Sequence, residues 1–214
     1  MATEIKGIDV SKHQTAGRVN FSALKSHGYE FCMMRAGYGM YDCQKDRAFE
    51  SHYKAAVNAG INVGAYHYSY ATSVKEAERE AECFLGWIKG KQLRYPVAFD
   101  IEDRSQKYLS NRLRTDIALA WMSKVEAAGY YTMLYSSASW LGSKLDMSRL
   151  KHFDVWCAAY VDKDKISRYY KGSFGMWQYS SSGKLSGVYP NRLDLDLAFK
   201  DYAKIICRAG LNNL

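Results

Sequence analysis

The sequence predicts an α/β protein in which eight strands close into a (β/α) barrel with about five helices, the last crossover helices being absent. Three observations carry this reading. A polar-apolar helical stretch that ends in Gly, then an aromatic or apolar residue and a short β-rich run, recurs along the chain. The glycines that end these stretches, Gly28, Gly60 and Gly129, lie 32 and 69 residues apart, one and about two βα units. Late β-rich runs follow one another too closely for full helices between them.

Taken in order, Gly7 to Val10 is the first strand. In FSALKSHGYEFCMMRAGY, Gly28 suits the left-handed position that closes a helix, and Phe31 to Ala36 reads as a buried strand. A second helix from about Asp46 closes at Gly60, and Ile61 to Tyr68 forms the third strand. A helix from about Val74 to Ile88 leads into YPVAFDIE, a strand over 95–102. A long helix from about Leu109 to Ala128 stops at Gly129, and Tyr131 to Ser136 follows as a strand. DVWCAAY, FGMWQYS and DLDLAF complete the eight. An open doubly wound sheet is the alternative, but no Gly-x-Gly-x-x-Gly follows the first strand, so dinucleotide binding has no support.

With 214 residues, 48% hydrophobic and 24% charged, the chain has the composition of a globular protein and neither a disordered nor a fibrous one. Two prolines and no low-complexity stretch leave no linker, so one domain over 1–214 is expected, its core at about 5–199. Apolar runs fall short of the roughly 18 residues of a membrane span, and the N-terminus lacks the basic-then-apolar pattern of a signal peptide, so a soluble protein is expected. Five widely spaced cysteines without a Cys-x-x-Cys pair predict neither a disulfide framework nor a zinc site. The five histidines show no metal-ligand spacing, and no metal or cofactor is expected; His67 reads as a hydrogen-bonded strand-end residue. The excess of 30 Lys and Arg over 22 Asp and Glu favours a polyanionic partner: nucleic acid, an acidic membrane face or an anionic cell wall. Eighteen tyrosines and five tryptophans add faces able to stack on sugars or bases.

Barrel enzymes carry their reactive groups at the C-terminal ends of the strands. Here those ends hold Asp9, Arg35, Tyr66-His67-Tyr68, Asp100 and Glu102, Tyr135, Trp156 and Tyr160, Gln178, and Asp194 with Asp196, where a purely structural interior would show Val, Ile and Ala. Asp100 and Glu102, two apart on one strand, share a face, with Phe99 and Ile101 on the other. Carboxyls this close do not both ionise at low cost, so one keeps its proton and serves as an acid, which is what cleavage of a glycosidic bond requires. Binding a cation or pairing with an Arg is the alternative for the pair. Asp9 reads equally as an N-cap of a turn over Ser11 to His13, and one of Asp194 and Asp196 as a solvated surface acid. No Gly-x-Ser-x-Gly is present for a serine hydrolase.

With these residues in place the chain resembles the family 25 glycoside hydrolases, the N-acetylmuramidase lysozymes often found as phage endolysins. GIDVSKHQ, FCMMRAGYG, the Ala-Gly-x-x-Val-Gly-x-Tyr-His-Tyr stretch ending at Tyr68, YPVAFDIE, GYYTMLYSS, VWCAAY, MWQYSSSGKLSGV and LDLDL carry the resemblance, in order, over 5–199. It implies a flattened (β/α)5(β)3 barrel that cleaves the β-1,4 bond between N-acetylmuramic acid and N-acetylglucosamine in peptidoglycan, without a cofactor. It implies Glu102 as general acid/base, Asp100 as its partner at the anomeric centre, and Asp9 and Asp194 as further acids of the floor. Tyr66, Tyr68, Trp156, Tyr160 and Gln178 resemble the groove lining, and Arg35, Tyr135 and Asp196 join them as candidate substrate contacts. One departure is visible: where the family usually has Asn, two residues after the strand-eight Asp, this chain has Asp196, which makes the floor more negative. No cell-wall-binding repeat is recognisable, and DYAKIICRAGLNNL is too short to be one. For localisation the resemblance implies holin-type release from a host cytoplasm to the wall if the protein is phage-encoded, or a non-classical extracellular route.

Other classes stay open on the residues. A chitinase-like or glucosaminidase barrel needs the same carboxyls. A non-catalytic barrel that grips cell-wall glycan would have no use for both Asp100 and Glu102. A nucleic-acid binder predicts basic and aromatic residues clustered on one segment, whereas Lys and Arg are spread over all the helices. The expected partner is therefore bacterial peptidoglycan, with neither nucleic acid nor membrane.

Overall fold

Strands β1 (Ile5–Val10), β2 (Tyr29–Tyr38), β3 (Asn62–Tyr68), β4 (Val97–Asp100), β5 (Thr132–Ser137), β6 (Asp154–Ala158), β7 (Met176–Gly183) and β8 (Leu193–Ala198) pair in chain order into a closed barrel. The computed structural model describes residues 4–15, 17–189 and 192–214. Strands β1 to β7 run parallel, and β8 is antiparallel to both β7 and β1. The reversal follows from the short connection between β7 and β8, which has no room for a crossover helix. It brings the start of β8 to the same end of the barrel as the C-terminal ends of the other strands, with Asp194 opposite Asp9.

Six α-helices are present among the described residues: α1 (Phe21–Ser26), α2 (Phe49–Asn58), α3 (Val74–Ile88), α4 (Asn111–Ala127), α5 (Ala138–Ser143) and α6 (Tyr202–Ala209). Gly28, Gly60 and Gly129 adopt φ of 78°, 70° and 89° just after α1, α2 and α4, the left-handed turn that a Cβ would strain. Ser73 and Ser110 cap α3 and α4 by accepting from the backbone N–H of Glu76 and Leu113. None of the described helices is long and apolar enough to cross a membrane.

Alternation along the strands divides the apolar residues into two cores. Ile8, Met34, Val63, Phe99, Leu134 and Val155 point outward beneath the helices. Phe31, Met33, Ala98, Met133 and Met176 fill the barrel itself, below Tyr66, Tyr135 and Trp156. Gly7 has no side chain because the Phe31 ring takes its space: a Cβ there would stand 2.3 Å from the ring.

The N-terminal end of the barrel is stopped by α6. Tyr202 is fully buried, its ring 5.8 Å from that of Tyr95 and 5.7 Å from that of Tyr131, and its hydroxyl donates to Asp154. The tail beyond α6 is tied down by Asn212. Its amide donates to the carbonyls of Leu93 and Tyr95, each at 2.9 Å, and its Oδ1 accepts from the Tyr131 N–H at 2.7 Å. Asn212 also sits at φ 58°, which Asn tolerates better than Ala. Asn212→Ala is therefore expected to cost about 3 kcal/mol, since it orphans three buried backbone groups; a denaturation midpoint equal to the wild type's would contradict this.

Candidate active site

Every parallel strand ends at one mouth, and the side chains facing inward there are polar. Asp9 comes from β1, Arg35 from β2, Tyr66 and Tyr68 from β3, Asp100 from β4, Tyr135 from β5, Trp156 from β6, Gln178 from β7, and Asp194 and Asp196 from β8. The register sets Tyr68, Asp100, Tyr135 and Trp156 side by side across four strands.

Glu102 lies two residues beyond the end of β4 and not on the strand, as the alternation in AFDIE suggests. The segment is nonetheless fixed. The Ile101 N–H donates to the Tyr135 carbonyl at 3.2 Å, and Ser136 Oγ donates to the Ile101 carbonyl at 2.6 Å. On the other side Asp103 and Gln106 form a capping box that turns the chain. These anchors hold the Glu102 carboxylate near the Ser137 backbone N–H. Burial raises the Glu102 pKa above its ordinary value, and that N–H partly opposes the rise.

Asp100 is 4% exposed, and its Oδ1 has no hydrogen-bond partner among the described residues. Burial first, then the Glu102 charge, lifts its pKa well above the usual carboxylate range, against the pull of Arg35. The two acids thus have unequal environments: a backbone N–H lowers the rise at Glu102, whereas the buried Asp100 has an oxygen free to take a donor.

Asp9 is no helix cap. Its Oδ2 accepts from Gln178 Nε2 at 2.6 Å, and the turn after β1 is closed by Ser11 and Gln14, whose side chains bond the N–H groups of His13 and Ser11. Gln178 Oε1 in turn accepts from the hydroxyls of Tyr135 at 2.9 Å and Tyr160 at 2.7 Å. Trp156 is 1% exposed and lies beneath the mouth, with Tyr66 and Tyr135 packed edge-on against it. Tyr160, past the end of β6, is 57% exposed at the rim. Neither acid of β8 is a solvated surface group, since Asp196 is fully buried and Asp194 half-buried.

Burial lifts Asp194 to about 6 despite Arg192. From about pH 4, where aspartates of the unfolded chain ionise, up to about 6, the folded protein keeps a proton that the unfolded chain releases. Asp194 therefore costs stability progressively as pH rises through that window. Asp194→Asn is expected to leave the melting temperature unchanged near pH 4 and to raise it above pH 6. The gain should be about 1–2 kcal/mol once solvent screening of a partly exposed group is allowed for. A gain independent of pH in thermal melts would refute the assignment.

Several residues of the site escape sequence reading. Asp46, read only as a helix start, is buried and accepts from Arg35 Nε at 2.8 Å, from the Lys12 N–H and from the Ala48 N–H. Asp103 accepts from the Tyr68 hydroxyl at 2.9 Å. Tyr38 and Tyr70 form an aromatic rim with Tyr68: ring centroids are 6.0 Å apart for Tyr38 and Tyr70 and 5.3 Å apart for Tyr68 and Tyr70. Only the Asp-x-x-Gln spacing of Asp103 and Gln106 left a local signal. His67, expected at the strand end as a hydrogen-bonded group, faces the helices instead. It stacks against Trp87 and Phe99, and its Nε2 is 3.3 Å from Glu80 Oε2 without hydrogen-bond alignment. A cavity of about 640 Å³ lined by Leu145, Phe153 and Tyr170 lies outside the barrel wall and touches none of these carboxyls.

A closed barrel with carboxyls of unequal acidity gathered at the strand-end mouth, rimmed by tyrosines, defines a protein of the glycoside hydrolase class. The acids come from three different strands and the loop after β4, so the fold itself assembles them. The chain belongs to the glycosyl hydrolases family 25, whose sequence profile matches residues 8–188. It is 31% identical over 196 residues to the autolytic lysozyme of Clostridium acetobutylicum, an alignment covering 90% of this chain and 55% of that protein. Lysozyme M1 of Streptomyces globisporus is 29% identical over 197 residues, 86% of this chain and 64% of that one. The chain thus spans between about half and two thirds of the length of these relatives. A bacterial lysozyme from Streptomyces coelicolor superposes with a TM-score of 0.80 at 26% identity, over 100% of this chain and 99% of that chain.

Proposed function

We propose that this chain is a peptidoglycan hydrolase that cleaves the β-1,4 bond between N-acetylmuramic acid and N-acetylglucosamine with net retention, using the 2-acetamido group of the substrate. Membership of family 25 and the lysozymes among its relatives support the substrate class. The route is carried by one observation: Asp100, two residues before Glu102, keeps an unpartnered buried oxygen.

Two carboxyls carried on one short segment are badly placed to flank a scissile bond as nucleophile and acid. They suit a different division of work. Glu102, kept protonated by burial, gives its proton to the leaving oxygen as the acetamido oxygen attacks the anomeric carbon. Asp100 Oδ1 accepts the acetamido N–H and stabilises the positive charge of the cyclised intermediate. Glu102 then takes a proton from water, which opens the ring with overall retention. Asp9 and Asp194, across the mouth, complete the floor, while Tyr66, Tyr68, Tyr135 and Tyr160 offer faces and hydroxyls to the sugars. Early-time NMR of the product anomer, with mass spectrometry of the released sugars, tests both parts. A retained product ending in reducing N-acetylmuramic acid is expected; an inverted anomer, a trapped glycosyl ester on an Asp, or reducing N-acetylglucosamine would overturn the corresponding part.

The formal charge of +8 bears on the encounter with a wall rich in anionic polymer. Long-range attraction of this kind fades once the Debye length falls below about 10 Å, near 0.1 M salt. Clearing of whole cells is expected to slow as salt is raised to several hundred millimolar, an order-of-magnitude range set by screening, while turnover of a small soluble glycan barely changes. Equal responses of the two substrates would leave the charge without a steering role.

A further inference from the structure

Asp196 sits where a second acid is hard to accommodate. On β8 it pairs with Gly7 of β1, so its side chain lies diagonally below Asp9 on the same inner face of the barrel. It is fully buried. Its Oδ1 accepts the indole N–H of Trp156 at 2.8 Å, whereas no donor among the described residues reaches Oδ2. The Gly7–Asp196 and Asp9–Asp194 register makes the Asp9 and Asp196 carboxyls neighbours on that inner face, both buried.

The surroundings fix the polarity of this contact. Both tyrosine hydroxyls point at Gln178 Oε1, so the amide N–H of Gln178 is directed to Asp9 Oδ2. Trp156 is a donor only, which makes Asp196 Oδ1 an acceptor. What remains is carboxyl facing carboxyl. The groups around them are Asp194 on β8, Asp100 on β4, Tyr66 on β3, Cys32 on β2, Tyr135 on β5, Tyr160 after β6 and Tyr179 on β7. The charges acting most strongly on Asp9 are those of Asp196, Asp194 and Asp100, all negative. Two ionised carboxylates side by side in so buried a place are unfavourable, and one proton between them turns the repulsion into a charge-assisted hydrogen bond.

We propose that Asp9 and Asp196 act as a single acid holding one proton at neutral pH, and that Asp196 is thereby a positioning residue that fixes the Asp9 carboxylate at the floor of the glycan site. The functional part rests on the hydrolase reading above; the proton count does not. The pair carries one negative charge and not two, and the proton belongs to the pair.

The test is the replacement Asp196→Asn. Its amide keeps a donor for Asp9 and an acceptor for Trp156, while Asp9, now alone, ionises. The folded protein therefore loses one bound proton and keeps its net charge. Native electrophoretic mobility at neutral pH is expected to match the wild type's, whereas the control Asp164→Asn, at an exposed site, shifts by one charge. The infrared carbonyl band of a protonated carboxyl should weaken in Asp196→Asn at the same pH. A one-charge shift like that of the control, or an undiminished band, overturns the shared proton. For the positioning role, wall clearing by Asp196→Asn is expected to exceed that by Asp196→Ala at least about tenfold, the worth of one buried hydrogen bond to a charged group. Equal rates for folded Asn and Ala variants overturn that role, and the mobility and infrared results stand whether or not walls are cleared.

Discussion

Glu102→Gln is expected to retain the fold and to lose about two to four orders of magnitude in the rate of glycan cleavage, the range that a positioned general acid supplies. The amide has nearly the same shape, and the segment is anchored by the backbone of Ile101 and the Asp103 capping box, so it keeps its geometry. What it lacks is the proton for the leaving oxygen. Circular dichroism and the melting temperature should match the wild type's, or exceed them at neutral pH, because a buried titrating acid has been removed. A clearing rate within a few fold of wild type would end the assignment of Glu102 as the acid.

Asp100→Asn is expected to cost about as much, through a different part of the same step. Its free Oδ1 is the acceptor proposed for the substrate amide, and an amide in its place bears no charge to offset the developing cation. The interaction strengthens only as charge develops, so kcat should fall with little change in KM. The double variant with Glu102→Gln should be little worse than either single one, because the two groups act on one transition state. Losses that multiply in the double variant would show that Asp100 works independently of Glu102.

The order of strands and most helices was legible because it rests on local signals. Gly28, Gly60 and Gly129 stop helices through their own φ, and strand alternation sorts Phe99 from Asp100 without knowledge of neighbours. The short α5 offered too little periodicity to stand out. The tail carrying α6 was read only for its length, although Tyr202 and Asn212 have their partners at the far end of the chain's fold. The same distinction runs through the site. The acids of the floor were visible as acids at strand ends. The closure of β8 onto β1 depends on contacts far apart in sequence, and the pairing of Arg35 with Asp46 spans the loop after β2. The early stop of β4 at Asp100 has a local trace only in the Asp-x-x-Gln spacing of Asp103 and Gln106, whose capping box turns the chain.

The pairing of β8 with β1 joins the last strand of the barrel to the first. During refolding it is the contact with the greatest loop to close, so it forms late and makes the chain slow to mature. Until it forms, β1 and β8 are open edges with unpaired backbone groups, and the apolar interior of Phe31, Met133 and Met176 lies bare beside them. Dilution from denaturant at high protein concentration thus invites the strands of one molecule to complete the sheet of another, and yield should depend on concentration far more than on final stability.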